Sequence, residues 1–309
     1  MKLSIVIPTY NEEQNVSLLY EELIRTLKPL KHPYEIIYVD DGSSDGTRQA
    51  LRQLHTKDKN VKILFHRRNF GQSAAMDTGF KYAHGDVIIT MDADLQNDPA
   101  DIPKLLEKMN EGYDVVSGWR KYRQDPLSKK VFSKFAGFMR RSLTRERIHD
   151  SGCTLKAFKK ECFTNLDIYG EMHRYIPAIL TWRGFRVGEI VVNHRARKFG
   201  TTKYGMKRLF RGFLDLILVK FWMQYSSRPM HLFGGAGLWC FGLGFIGGLY
   251  LLFVKFINGE AIANRPMLML VVLLLVLGVQ FFGMGVMTDA LTRIYYHQSP
   301  ISRANEILE

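Results

Sequence analysis

The 309-residue sequence predicts an α/β fold with a mostly parallel sheet, followed by an interfacial helix and a two-helix transmembrane hairpin. Three observations lead there. Short β-branched runs alternate with helical stretches through the first half of the chain. Polar clusters fall where those runs end. Near the C-terminus, two long apolar segments carry no charge.

The β-branched runs are 3–8, 35–39, 61–65, 86–91 and 114–117, and the helical stretches between them are 12–27, 45–54, 72–83 and 99–111. Asp45 is placed as a helix N-cap, and Gly85 follows the third helix as a stop. Regular strand–helix alternation gives parallel strands covered on both faces, and such sheets bind ligands beyond the strand carboxyl ends. The polar clusters 9–12, 40–45 and 92–96 occupy those ends.

Residues 232–254 and 266–288 are each uncharged and each exceed the roughly 20 residues that cross a bilayer. Only 255–265 separates them, so they read as a hairpin with helices over about 232–256 and 266–288. Before it, Leu209, Phe210, Phe213, Leu214, Ile217, Leu218, Phe221 and Trp222 recur at helical spacing opposite Lys207, Arg208, Arg211 and Lys220. A basic amphipathic helix of this kind lies in a membrane interface. Residues 195–231 hold nine Lys/Arg against one acid, Asp215, so the positive-inside rule puts the preceding domain in the cytoplasm. The expected organisation is a catalytic domain over 1–205, a juxtamembrane helix over 206–231, the spans within 232–290 and a cytoplasmic tail over 291–309. The protein is then integral to the cell inner membrane or its equivalent.

Apolar residues make up 46% of the chain, so the whole is not a membrane bundle, and the net charge is +13. That excess suits anionic lipid or a phosphorylated substrate, and no nucleic-acid signature accompanies it. Cys153, Cys162 and Cys240 form no CxxC pair and suit a reducing compartment. No signal peptide is expected, because residues 3–7 already read as a strand. The nine histidines show no metal-binding spacing.

The chemistry centres on Asp92-Ala93-Asp94-Leu95-Gln96, after the apolar run 87–91. On an extended chain alternate residues share a face, which would turn Asp92, Asp94 and Gln96 into one site. Their oxygens suit Mg²⁺ or Mn²⁺, and such an ion bridges a diphosphate leaving group as negative charge develops on it.

Four segments in order resemble glycosyltransferase family 2 and its GT-A fold. They are Leu3-Ser4-Ile5-Val6-Ile7-Pro8-Thr9-Tyr10-Asn11-Glu12-Glu13, Val39-Asp40-Asp41-Gly42-Ser43-Ser44-Asp45-Gly46-Thr47, Arg68-Asn69-Phe70-Gly71 and Met91-Asp92-Ala93-Asp94-Leu95-Gln96. Gly112-Tyr113-Asp114-Val115-Val116 through Arg120, Asp150-Ser151-Gly152-Cys153 and Arg197-Lys198-Phe199-Gly200-Thr201-Thr202-Lys203-Tyr204 are similar to the branch that glycosylates polyprenyl phosphates, typified by dolichyl-phosphate mannose synthase. Gln280-Phe281-Phe282-Gly283-Met284-Gly285 resembles two-span bacterial members of that branch.

The resemblance implies a metal-dependent inverting hexosyl- or pentosyltransferase. It would move a sugar from a nucleotide-diphosphate donor, with UDP favoured, to undecaprenyl or dolichyl phosphate at the cytoplasmic membrane face. Pro8, Tyr10, Glu12 and Asp41 would hold the nucleoside. Asp92, Asp94 and Gln96 would hold Mg²⁺ or Mn²⁺, Asp92 thereby also serving the donor, and Arg120 would contact the donor diphosphate. Lys129, Ser133, Arg197 and Lys203 match positions that contact the acceptor phosphate. Asp94, Arg120 and Asp150 are expected to carry catalysis, with Asp150 orienting a basic side chain, contacting the sugar or pairing with Arg147. Besides the two substrates the partner is membrane lipid, and homo-oligomer formation stays open.

A phosphate monoester is largely dianionic at pH 7, so it attacks without a general base and needs cations instead. Residues 120–149 supply ten Lys/Arg against two acids, Asp125 and Glu146. Three departures from the family pattern bear on sugar and acceptor contacts: Thr201-Thr202-Lys203 replaces Glu-Ser-Lys, Asp289 stands where Gly-Glu is common, and Gln72 replaces a Lys of some relatives. Two other readings compete. A processive polysaccharide synthase would need a Gln-x-x-Arg-Trp motif, which Thr181-Trp182-Arg183 does not supply, and more spans. An inactive membrane adaptor would have no need of intact Asp92, Asp94, Gln96 and Arg120.

Overall fold

The structure is a computed structural model that describes residues 1–121, 148–196, 217–221, 223–225, 228–262 and 265–298. Residues 1–220 and 221–309 form two compact units.

In the first unit the chain runs β1 (Leu3–Thr9), α1 (Glu13–Leu27), β2 (Tyr34–Asp40), α2 (Thr47–Lys57), β3 (Val61–Phe65), α3 (Gln72–Tyr82), β4 (Val87–Thr90), α4 (Ile102–Asn110) and β5 (Val115–Trp119). These match the alternation in the sequence. Then come β6 (Lys156–Lys159), α5 (Ile176–Trp182) and β7 (Val187–Val191). The seven strands form one sheet in the order β3-β2-β1-β4-β6-β5-β7. All neighbouring pairs are parallel except β4 with β6 and β5 with β6, so β6 alone runs against the rest. The mostly parallel α/β architecture predicted above is the one observed.

Parallel strands are covered on both faces, which is why β1 reads Leu-Ser-Ile-Val-Ile without polar alternation. Ile5, Val6 and Ile7 are all fully buried. Helix α1 turns Val16, Leu19, Tyr20, Leu23 and Leu27 to the core, the spacing of one helical face. Each such leucine contributes about 2 kcal/mol on burial. Gly85 crosses close to β1, where its N–H donates to Ser4 Oγ at 2.8 Å.

At the amino ends of the strands Glu35 is buried as a charge hub. Lys62 Nζ lies 2.6 Å and Lys2 Nζ 3.5 Å from Glu35 Oε2. Ser4 Oγ at 2.6 Å and the His84 N–H at 2.7 Å donate to Oε1. Burial alone would raise this carboxyl, but Lys62, Ser4 and the His84 N–H hold it down at about 2.

The second unit contains helices α6 (Pro229–Phe256) and α7 (Pro266–Gln298), which extend the predicted 232–254 and 266–288 at their ends. Both are long and apolar enough to cross a membrane. Their packing runs through glycine. A Cβ added at Gly237 would lie 2.8 Å from the Gly278 carbonyl oxygen and 2.9 Å from the Phe282 nitrogen, so the backbones touch there. The other faces stay apolar and open: Trp239 is 75% and Met269 81% exposed. Such faces suit hydrocarbon, not water. Most of the predicted 206–231 helix lies outside the described residues.

Candidate active site

The loops after β1 and β2 form one stitched surface at the carboxyl end of the sheet. Thr9 and Asp40 are register partners, and the Asp41 N–H donates to the Thr9 carbonyl at 2.8 Å. Asn11 turns the chain with φ +55°, and its side-chain oxygen accepts from the Ser44 N–H at 2.9 Å. The Asn11 N–H donates to Ser43 Oγ at 2.9 Å, and the Glu12 N–H to Thr47 Oγ1 at 2.8 Å. Glu12 also accepts from the Asn15 amide at 2.5 Å. Pro8 near the end of β1, Tyr10 and Glu12 in the loop after it, and Asp41 after β2 therefore stand at the same end of the sheet. Helix α2 is capped differently from that expectation. Gly46 takes the N-cap position, while Asp45 Oδ1 accepts from the Thr47 N–H at 3.1 Å from just outside.

Asp41 is buried and organises the next loop. Its Oδ1 accepts from the Phe70 N–H at 2.8 Å and lies 2.9 Å from His66 Nδ1, while Oδ2 accepts from the Gly71 N–H at 2.8 Å. Gly42, at φ +75°, passes so close that a Cβ there would lie 2.5 Å from the Arg68 carbonyl carbon. Any side chain at this position would push the 66–71 loop away. The segment Arg68-Asn69-Phe70-Gly71 is thus bound to the Asp40-Asp41 turn through Asp41 itself.

Beyond β4 the chain does not stay extended. The strand ends at Thr90, and Leu95, buried, takes a left-handed φ of +61°. The Gln96 N–H turns back to Asp94 Oδ1 at 3.2 Å. Asp92, Asp94 and Gln96 are thus gathered by a tight turn and not by strand alternation, which corrects the geometric reason given above. Gln72, the first residue of α3, donates its amide to Asp92 Oδ1 at 2.7 Å, and the nearby Thr154 hydroxyl favours the charged form of Asp92. Burial and the neighbouring Asp94 charge push the Asp92 carboxyl up to about 6. Two carboxylates held together at such a cost suit a hard divalent cation that would relieve their repulsion, while the Gln96 amide nitrogen is directed at the Arg195 carbonyl at 3.5 Å. Among the described residues there is no group of three or more His, Cys, Asp and Glu arranged for a metal. A bound ion would therefore draw on Asp92, Asp94 and non-carboxylate oxygen.

Arg120, directly after β5, binds Asp150 through one edge of its guanidinium and its backbone N–H. Its Nε lies 2.7 Å from Oδ2 and its Nη2 2.9 Å from Oδ1, and its own N–H donates to Oδ2 at 3.3 Å. Of the roles considered for Asp150, orienting a basic side chain is the one the geometry shows, and the side chain is that of Arg120. Burial would raise the Asp150 carboxyl, but the Arg120 bonds and charge hold it below the usual carboxylate range. The same guanidinium charge and that of Lys156 reach Asp92. Asp92, Asp94, Arg120 and Asp150 therefore form one electrostatic cluster.

The turn over residues 96–98 is tied to the segment that leads into residue 197. The Arg195 N–H donates to the Gln96 carbonyl at 2.9 Å, and its guanidinium bridges Glu22 at 2.8 Å and Asp98 at 2.6 Å. Lys129, Ser133, Arg197 and Lys203 lie outside the described residues. Four contributors escaped the sequence reading: Thr154, Lys156, Glu189 and His66. Gln72 appeared there only as a departure. Its place at the start of a helix facing the Asp92 turn was the available signal.

Residues 4–166 match the sequence profile described as Glycosyl transferase family 2. Among curated proteins the chain is 42% identical to a dodecaprenyl-phosphate galacturonate synthase of Rhizobium johnstonii, over 96% of this chain and 89% of that one. It is 36% identical to an undecaprenyl-phosphate 4-deoxy-4-formamido-L-arabinose transferase of Yersinia enterocolitica, over 95% and 89%. Among solved structures it is similar to glucosyl-3-phosphoglycerate synthase from Mycobacterium tuberculosis in complex with Mg²⁺ and UDP, with a TM-score of 0.53 at 17% identity. That match covers 71% of this chain and 79% of the other and concerns the fold alone. With the strand-end loops, the two-carboxylate turn and near full-length similarity in agreement, the chain belongs to glycosyl transferase family 2.

Proposed function

We propose that the protein transfers a sugar from a nucleotide-diphosphate donor, a UDP-sugar, to a polyprenyl phosphate at the cytoplasmic face of the membrane. One observation carries the reading: the crowded Asp92–Asp94 turn stands beside a rigidly held arginine, Arg120, at the carboxyl end of the sheet. That is the charge pattern a nucleoside diphosphate and a divalent ion require together. The likeness to polyprenyl-phosphate sugar transferases along nearly the whole chain supports the acceptor class, and the two apolar helices supply the membrane in which it resides.

In this reading Pro8, Tyr10, Glu12 and Asp41 bind the nucleoside. Asp92, Asp94 and Gln96 would hold Mg²⁺ or Mn²⁺, which would supply positive charge to the departing diphosphate. Arg120, locked by Asp150, stabilises the same charge without reorganising at the moment of reaction. The acceptor phosphate oxygen attacks the anomeric carbon as the bond to the diphosphate oxygen breaks, so the configuration inverts. No general base is needed, because the acceptor is already an anion near pH 7. Lys129, Ser133, Arg197 and Lys203 receive the acceptor phosphate. The basic residues of 195–231 keep the catalytic unit on the cytoplasmic side.

Membranes containing the protein, incubated with a panel of labelled nucleotide sugars, test this directly. One UDP-sugar should yield label extractable into organic solvent and dependent on polyprenyl phosphate. Label that enters only a water-soluble product or a polymer would overturn it.

A further inference from the structure

A row of polar side chains crosses the middle of the sheet beneath the 149–154 loop. Thr90 on β4 pairs in register with Lys156 on β6, Lys156 with Ser117 on β5, and Ser117 with Glu189 on β7. Directly paired residues project from the same face, so the four stand side by side. Thr90, Lys156 and Ser117 are buried, and Glu189 is 13% exposed at its side chain. Polar groups in a sheet interior are costly unless they are paired.

Three of the four find partners in one short loop. Thr90 Oγ1 donates to the Thr154 carbonyl at 2.6 Å. The Lys156 ammonium donates to the Ser151 carbonyl at 3.1 Å and to that of Cys153. The Glu189 carboxylate accepts from the N–H groups of His149 and Asp150, each at 3.1 Å, and lies 2.8 Å from His149 Nδ1. An anion thus takes the loop's N–H groups at one end, and a cation takes its carbonyls at the other. The loop between them serves the site. Asp150 grips Arg120, and the Thr154 hydroxyl favours the charged form of Asp92. Outside the row, the His149 ring stacks on Trp119 with centroids 4.4 Å apart, which closes the loop's outer side.

We infer that Glu189 and Lys156 are positioning residues, whose opposite charges fix the 149–154 loop so that Asp150 presents Arg120 to the donor diphosphate. Neither touches substrate. Their opposite signs match the polarity of the backbone groups they hold, so replacements that remove the accepting oxygens of Glu189 or the donating ammonium of Lys156 lose the function. A surface loop carrying a charged ligand residue needs such support, because small displacements at a reacting centre cost large factors in rate.

The inference rests on the reading of Arg120 as the diphosphate residue, and the test separates the two. Full-length Glu189→Ala, Glu189→Gln, Lys156→Met, Thr90→Val and Arg120→Lys proteins are prepared in lipid nanodiscs. Turnover, thermal midpoint and affinities for UDP and UMP with Mn²⁺ are then measured. Glu189→Ala and Lys156→Met should lower kcat at least tenfold and weaken UDP at least fivefold, with UMP affinity within twofold of wild type. Glu189→Gln, which retains an accepting oxygen, should keep a third or more of the activity. Parallel loss of UMP and UDP binding would mean a merely structural role and overturn the inference. So would turnover within twofold of wild type in folded Glu189→Ala. Should Lys156→Met not fold, Glu189→Ala and Thr90→Val decide, the latter expected to lower kcat threefold or more. If Arg120→Lys keeps full turnover, the diphosphate reading itself fails. If Arg120→Lys is inactive while Glu189→Ala is not, the positioning inference alone fails.

Discussion

Arg120 and Asp150 face each other edge to edge, with nitrogen–oxygen distances of 2.7 and 2.9 Å, thirty positions apart in the chain. A bidentate pair of this kind fixes the plane of the guanidinium as well as its position. Both side chains are largely enclosed, at 13% and 16% exposed, so the pair is weakly screened. Asp150→Asn removes one charge and one accepting edge and frees the Arg120 fork. Transfer should fall at least tenfold, about 1.4 kcal/mol of transition-state stabilisation. Steady-state kinetics at saturating acceptor check this, and unchanged turnover would show that Arg120 needs no anchor.

The Glu35 hub gives the catalytic unit an acid-sensitive element far from the substrate loops. Its folded carboxyl titrates at about 2 against 4.5 for an ordinary glutamate. A depressed folded value means that the contribution is complete above pH 4.5 and is lost as pH falls from there towards 2. Glu35→Gln should therefore destabilise by about 1–3 kcal/mol at pH 7, since the Lys partners of Glu35 are partly solvent-screened. It should also flatten the loss of thermal midpoint between pH 5 and 3. A mutant curve parallel to that of wild type over this range would count against the hub.

The glycines of the hairpin make a sharper comparison, because two neighbours differ in what surrounds them. A Cβ at Gly237 collides with backbone of the facing helix, whereas at Gly235 nothing lies within 4 Å. Gly237→Leu should force the helices apart, at a cost of about 1–3 kcal/mol, while Gly235→Leu should be neutral. Thermal midpoints of the full-length variants in detergent separate these outcomes. Equal effects at both positions would mean that the helices do not pack through this face.

Much of the sheet was legible because it depends on local pattern. β1 to β5 and α1 to α4 each carry a run of one period, and the polar clusters mark their carboxyl ends. The last two strands were not legible. β6 is Lys156-Ala157-Phe158-Lys159, four residues with a lysine at each end. Its lysine at 156 is buried only because β4 and β5 flank it and the 149–154 loop covers it. Residues Asp92, Asp94 and Gln96 could be read as a set, but the left-handed Leu95 that gathers them could not, since leucine gives no hint of a positive φ. Likewise Glu189 looks like any strand-edge acid until the register sets it beside Ser117. Such contacts depend on long-range pairing, which no local spacing encodes.

The central claim is that the Asp92–Asp94 turn serves a metal-dependent sugar transfer to a lipid phosphate. Its most direct test uses full-length wild-type and Asp94→Asn proteins with undecaprenyl phosphate and the labelled UDP-sugar chosen by the membrane assay. Organic-phase label is followed with Mn²⁺ and with a chelator. The wild type should give lipid-linked label with Mn²⁺ and none with the chelator, and a folded Asp94→Asn protein at least a hundredfold less, about 2.7 kcal/mol. Equal product from the two proteins, or product undiminished by the chelator, would contradict that claim.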